Sequence, residues 1–215
     1  MKQQFINILL TIIIITITTG CSSKQDQEYN KPATYWYNKM IKQIANFRLD
    51  EADDTYTSLE SEHRNSPLLP SAILIIANAH MDDEEYAMAN YYLDQYLKRF
   101  SLKKDVDYIN FLKVKSNFLA FKNQYREQEL LSQTIKQCDK FIAKFPHSSY
   151  IYLVGDIKSR LLMTSSLFEK EIAGLYGRVE KPKAKIFYNN KAKTKWKKID
   201  DIQDIDIPWY RYLFE

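Results

Sequence analysis

Apolar residues recur at intervals of three or four in three stretches of this sequence, residues 49–59, 86–100 and 131–145. That spacing places them on one stripe along an otherwise charged helix. The chain has 4 Gly and 6 Pro in 215 residues, so it is poor in the residues that tight turns use, and long helices with short connections are favoured. One helix pair cannot bury its own stripe, so the pattern predicts an all-α fold of stacked helix pairs.

The stripes also repeat a smaller motif, in which a small residue is followed at the fourth and seventh positions by large ones. Ala52, Ala89 and Thr134 are the small residues of the three copies, and this pattern resembles the second helix of a tetratricopeptide repeat. We therefore predict a tetratricopeptide-like helical-hairpin solenoid (an α-α superhelix) over residues 33–180, with about four to five degenerate repeats. The predicted helix pairs are 34–47 with 50–63, 70–81 with 83–100, 105–122 with 127–145, and 149–164 with 166–177.

The acidic run Asp82–Glu85 lies at the start of one predicted helix. Acidic side chains complement the positive end of a helix, so the run is predicted to form an N-cap and first turn rather than a metal site.

Residues 1–20 have the layout of a secretory signal peptide, with Lys2 before an apolar segment and small residues at its end. The apolar segment is interrupted by polar residues and is short for a membrane span, although an uncleaved anchor is the alternative. The stretch TTGCSS resembles a bacterial lipobox, which implies cleavage before Cys21 and lipidation of its thiol. Residues 21–32 then form the lipidated cysteine and a flexible tether, and Ser22 implies delivery to the outer membrane.

The sequence offers no constellation for catalysis. The three histidines, His63, His80 and His147, lack zinc-ligand spacing, and no nucleophile elbow or phosphate-binding glycine loop is present. We therefore predict no enzymatic activity, no metal and no cofactor. Cys138 lies on an apolar stripe and is predicted to be a buried, inert thiol, because Cys21 carries lipid and leaves it no disulfide partner.

Three consecutive aromatic residues, Tyr35, Trp36 and Tyr37, occur in the first predicted helix. They cannot all face one core, so at least one should be exposed or line a groove. Tyrosine and tryptophan suit peptide binding because they offer large areas with few rotatable bonds, and these three residues are the candidate substrate-binding or partner-binding site.

Two stretches carry a specific family resemblance, residues 105–121 and 144–176. The second contains a Phe-Pro-x-Ser-x-Tyr turn that begins at Phe145 and a Glu-x2-Ile-Ala-x2-Tyr helix that begins at Glu169. Together with the lipobox and the repeats, they resemble the BamD (YfiO) family, the tetratricopeptide lipoproteins of the outer-membrane β-barrel assembly machinery.

That resemblance implies a lipid-anchored scaffold at the periplasmic face of the outer membrane, which binds unfolded outer-membrane proteins and the BamA-like barrel-forming subunit. The same features are compatible with a tetratricopeptide lipoprotein that serves another envelope machine, such as peptidoglycan enzymes or pilus assembly. A lipid-tethered periplasmic protein is not expected to bind nucleic acid.

Residues 181–215 depart from the family, which usually continues into a fifth repeat that helps to dock the barrel-forming subunit. Nine basic residues lie between Arg178 and Lys198, and an acidic and aromatic segment follows. The extension could be solvated, could cap the solenoid, or could bring its basic part to lipid phosphates or an acidic partner. The candidate docking or capping residues are Trp209, Tyr210, Tyr212, Leu213 and Phe214.

Overall fold

The computed structural model of the chain describes residues 28–100 and 105–197. The predicted signal peptide, Cys21 and the aromatic residues from Trp209 to Phe214 lie outside these ranges. The chain divides between Pro32 and Ala33 into two compact units, and every described helix belongs to the second.

Eight α-helices and no strands make up the described residues. In chain order they are α1 (Ala33–Ala45), α2 (Leu49–Glu62), α3 (Leu69–Asp82), α4 (Tyr86–Phe100), α5 (Val106–Ala120), α6 (Gln128–Lys144), α7 (Ile151–Arg178) and α8 (Pro182–Lys195). The all-α prediction is confirmed, and the first six helices lie within a few residues of the predicted bounds. None of the described helices is both long and apolar enough to cross a membrane.

Each helix packs on the next along the chain, which gives the hairpins α1–α2, α3–α4, α5–α6 and α7–α8. The first helices of neighbouring hairpins also touch, α1 with α3 and α5 with α7. This is the packing of a tetratricopeptide-like helical-hairpin fold. The small residues of the repeated motif, Ala52, Ala89 and Thr134, are fully buried, so each lets its helix approach its neighbour closely.

The predicted break between helices 149–164 and 166–177 is wrong, because α7 runs unbroken from Ile151 to Arg178. The partner of its second half is α8, which begins after the predicted domain boundary at residue 180. The side chains of Ser165 and Ser166 contact α8: the Ser166 hydroxyl donates to the carbonyl of Ala192 at 2.7 Å, and Lys195 Nζ donates to Ser165 Oγ at 2.7 Å.

Three of the hairpins turn in the same way, through a residue in the left-handed region that is not glycine. Phe47, Glu84 and Glu180 have φ of 58°, 63° and 54°. In each turn the next backbone N–H donates to the carbonyl five residues earlier, as from Arg48 to Gln43 at 3.0 Å. This is the Schellman ending of a helix, which usually has glycine at the left-handed position.

The acidic run Asp82–Glu85 forms one of these turns. The prediction that the run supplies the first turn of a helix is wrong, since α4 begins only at Tyr86. Glu85 does stand at the N-cap position, where its carbonyl accepts the Ala89 N–H at 3.0 Å. Its side chain contacts His80 on the preceding helix.

Two hydrophobic clusters form the core. The first is built by α1 to α5 and the second by α5 to α7. The ring of Phe111 on α5 packs against both clusters and stacks on Tyr150 with ring centroids 4.8 Å apart.

Candidate functional site

The structure separates the three consecutive aromatic residues of α1. Trp36 is only 3% exposed, and its indole N–H donates to Glu62 Oε2 at the end of α2, at 2.8 Å. Tyr37 is half-buried and packs against the first core cluster. Tyr35 is exposed at the surface, and its ring meets that of Trp36 edge to face, with centroids 5.4 Å apart. Of the three, Tyr35 is the one whose side chain is exposed.

Tyr35 opens onto a cleft of about 460 Å³ between the outer parts of α1 and α2. The lining residues are Tyr35, Asn38, Lys39, Lys42, Gln43, Arg48 and Glu51. The members from α1 recur at intervals of three or four from Tyr35, so one face of the helix forms one wall. Sequence reasoning missed Lys39, Lys42 and Arg48, although this spacing from Tyr35 was a signal that could have found the first two.

Positive charge prevails in this cleft. Arg48 pairs with the single carboxylate, that of Glu51, at 3.1 Å, and the Gln43 amide also donates to it at 3.3 Å. The ammonium group of Lys39 lies 5.5 Å from the centre of the Trp36 ring, while Lys42 is exposed at the rim. An apolar ring beside lysines suits a polypeptide segment that carries both apolar surface and hydrogen-bond acceptors.

A second polar cluster lies between the first two hairpins, where its hydrogen bonds join neighbouring helices. His80 on α3 is 1% exposed, its Nε2 lies 2.9 Å from Asp53 Oδ1, and its Nδ1 lies 2.6 Å from Glu85 Oε2. Tyr92 donates its hydroxyl hydrogen to the same Asp53 oxygen at 2.7 Å and stacks on the imidazole ring.

Burial lowers the pKa of His80, but the hydrogen bonds and charges of Asp53 and Glu85 raise it by more, so it lies above its usual value. With a carboxylate at each ring nitrogen, the charged imidazolium donates on both sides. The cluster therefore ties α2, α3 and α4 together. Among the described residues, no group of His, Cys, Asp and Glu side chains could hold a metal ion.

Cys138 is fully buried and has no disulfide partner in the described part of the chain. Burial raises the pKa of its thiol to about 11, which keeps it protonated and unreactive at neutral pH.

The turn that begins at Phe145 joins α6 to α7 and holds both against α5. Within it, Ser148 donates its hydroxyl hydrogen to Asp107 Oδ2 at 2.7 Å, and Tyr150 stacks on Phe111. These contacts of the turn hold α6 and α7 against α5.

The helix motif that begins at Glu169 holds α8 in a similar way. Glu169 accepts hydrogen bonds from Lys191 at 2.8 Å and Lys195 at 2.7 Å, and Tyr176 stacks on Tyr188. Burial raises the pKa of Glu169, but these two lysines lower it by more, so its carboxylate is charged at neutral pH.

Comparison with known proteins agrees with these packing motifs. The family model described as "YfiO: Outer membrane lipoprotein" matches residues 29–186, which include the hairpin turns and the helix that begins with Ile151. This chain belongs to the YfiO family. The match ends inside α8, so residues 187–195 of that helix lie beyond the matched range.

A relative in Helicobacter pylori, the outer membrane protein assembly factor BamD, is 38% identical over 210 residues. The alignment covers 97% of this chain and 96% of the relative. The resemblance to the YfiO family thus extends beyond the repeats to nearly the whole chain.

Proposed function

We propose that this chain is a lipid-anchored scaffold of the outer-membrane β-barrel assembly machinery, which helps outer-membrane proteins to fold and insert. The single observation that supports this most is the near full-length similarity to an outer membrane protein assembly factor. Its action is positioning: it holds unfolded substrate and the barrel-forming subunit close together at the membrane.

The cleft beside Tyr35 is the proposed site for an extended segment of unfolded substrate. The Tyr35 ring is fixed against Trp36, so little side-chain freedom is lost when a partner covers it. Lys42 and Arg48 at the rim can donate to backbone carbonyls or carboxylates of that segment.

Photo-crosslinking in cells tests this site. A crosslinking amino acid at position 35 is expected to capture unfolded outer-membrane proteins. The matched control is position 152 on α7, where Tyr152 is 87% exposed and lies on no described cleft. Equal capture at both positions contradicts the proposed site, and capture of a murein hydrolase or a pilus subunit at position 35 supports a different envelope machine.

The anchor in this proposal is lipid on Cys21 after removal of residues 1–20. Stable attachment to a bilayer takes about two acyl chains, which a diacylglyceryl thioether supplies. Mass spectrometry of the mature protein should find an acylated N-terminal cysteine, and Cys21→Ser should release the protein from membranes. An unmodified N-terminus would refute the anchor while leaving the cleft untouched.

A further inference from the structure

The outward face of α8 presents two large apolar side chains among basic ones. Ile186 and Phe187 are 60% and 61% exposed. Lys183 and Asn190 lie three or four residues from them, so all four share one side of the helix. Ala192, which is buried, lies on the opposite side. We call Lys183, Ile186, Phe187 and Asn190 the outer face of α8.

The inner side of α8 packs onto α7. The Ala192 carbonyl accepts from Ser166, Tyr188 stacks on Tyr176, and Lys191 and Lys195 both bind Glu169. The fold therefore gives a reason for the inner residues and none for an isoleucine and a phenylalanine in water on the other side.

Charge indicates what covers this outer face. Between Lys181 and Lys198 the sequence has eight lysines and no Asp or Glu. Glu169 of α7 binds Lys191 and Lys195, but Lys181, Lys183 and Lys197 are exposed. An anionic surface is complementary to this helix.

The two exposed apolar side chains, Ile186 and Phe187, favour a bilayer over other anionic partners. At a membrane, Ile186 and Phe187 can enter the boundary between headgroups and acyl chains while lysine ammonium groups remain at the phosphates. YfiO proteins are outer membrane lipoproteins, so a weak contact of this kind acts at high local lipid concentration.

We propose that the outer face of α8 binds the surface of an anionic phospholipid bilayer, with Ile186 and Phe187 inserted and the flanking lysines on lipid phosphates. This goes beyond the proposed function, because it concerns how the folded chain lies on the membrane and not what it assembles.

Vesicle co-sedimentation of residues 22–215, made without leader or lipid, tests the proposal. The protein is expected to bind vesicles of equimolar phosphatidylglycerol and phosphatidylcholine, to bind pure phosphatidylcholine weakly, and to lose binding as salt rises. Each lysine at the surface is expected to strengthen partitioning about fivefold, so Lys183→Gln with Lys197→Gln should weaken it roughly tenfold or more.

Two matched controls separate this face from general charge and hydrophobicity. Lys98→Gln with Lys115→Gln removes the same charge from exposed sites on α4 and α5 and should leave binding nearly unchanged. Ile186→Ser with Phe187→Ser should weaken binding, whereas Tyr152→Ser with Leu153→Ser, an exposed pair on α7, should not.

Any of three results would overturn the proposal. The protein could bind vesicles without a preference for phosphatidylglycerol, the test and control variants could lose vesicle binding equally, or the protein could bind polyglutamate but not vesicles. None of them bears on the cleft beside Tyr35, because vesicle binding involves no assembly substrate. Circular dichroism of each variant checks that the helices remain folded.

Discussion

At the residue scale, His80 is a buried side chain with a carboxylate at each of its two ring nitrogens. It is buried between two carboxylates that belong to different helical segments, Asp53 on α2 and Glu85 in the turn before α4. A neutral imidazole can donate to only one of them, whereas the imidazolium donates to both. Protonation of one ring therefore affects the contact between two hairpins.

The stability of the chain should depend on the protonation of His80. Its folded pKa is raised above the ordinary 6.5, so the folded state binds this proton more tightly than the unfolded state. The stabilisation is fully present below about pH 6.5 and is lost as the pH rises through the higher folded pKa. Urea unfolding at a series of pH values should show this fall.

His80→Leu should remove that pH dependence and lower the free energy of unfolding by about 2 kcal/mol at pH 6, because two carboxylates lose their donor. His147→Leu, in an exposed turn, is the control and should change neither quantity. Parallel pH profiles for the wild type and His80→Leu would show that the imidazole is not charged in the folded state.

Phe47 is strained in its backbone. It is 92% exposed and has φ of 58°, a conformation that favours glycine. Because the ring packs on little, Phe47→Gly should raise the free energy of unfolding by about 1 kcal/mol or somewhat less. Phe47→Ala removes the same ring but keeps the strain, so urea unfolding of the two variants isolates the backbone effect. If Phe47→Ala raises the free energy of unfolding as much as Phe47→Gly does, the destabilisation comes from the exposed ring and not from the backbone conformation.

At the element scale, α8 depends on a few polar contacts with α7. The Glu169 side chain is 6% exposed and is the common acceptor of Lys191 and Lys195. Local opening of such an element can occur without unfolding of the remaining hairpins.

Glu169→Leu should loosen α8 selectively. The loss of two charge-assisted hydrogen bonds should raise amide exchange in α8 roughly tenfold or more, while α1 to α4 keep their protection. Glu171→Leu, at an exposed position of the same helix, should leave α8 protected. Exchange measured by mass spectrometry resolves the two regions, and uniform acceleration over the whole chain would contradict a local role.

Helices with one clear stripe were predictable, and those without one were not. The stripes around Leu59, Leu93 and Cys138 define α2, α4 and α6 nearly to their ends. The break predicted between residues 164 and 166 falls in the run MTSS, whose hydroxyl groups can compete with helical hydrogen bonds. In the structure Thr164 donates to the Arg160 carbonyl, and Ser165 and Ser166 contact α8, so the hydroxyls are satisfied within a continuous helix.

The helix α8 itself gave no sequence signal, because it buries only Ala192 and spreads its lysines around its circumference. The cleft was foreseen only through Tyr35. The sequence could not decide which of the three adjacent aromatic residues faces outward, because that depends on how α1 is rotated about its axis against α2. In the structure, the hydrogen bond from Trp36 to Glu62 belongs to the rotation that buries Trp36.

At the scale of the whole molecule, the two core clusters meet at α5. Phe111 packs against both, and its stacking on Tyr150 links α5 to α7. In a stack of hairpins, stability is a sum over units and their interfaces, so cooperativity depends on such shared side chains.

Phe111→Ala should lower the free energy of unfolding by roughly 2–3 kcal/mol and broaden the transition into two steps. Phe118→Ala is the comparison, because Phe118 packs against the second cluster alone and its loss should destabilise that half without separating the two. Circular dichroism and tyrosine fluorescence should give different midpoints for Phe111→Ala. Coincident midpoints would mean that the clusters are joined elsewhere.

The unequal lengths of α6 and α7 have a mechanical consequence. At 1.5 Å per residue, the 28 residues of α7 extend over about 42 Å, whereas the 17 residues of α6 extend over about 26 Å. The C-terminal part of α7 thus extends beyond the length of α6, and α8 folds back and packs along it. A chain cut after residue 180 would keep all of α7 but lose α8, so Glu169 would lose both of its lysine partners and the buried Ala173 would be exposed to water.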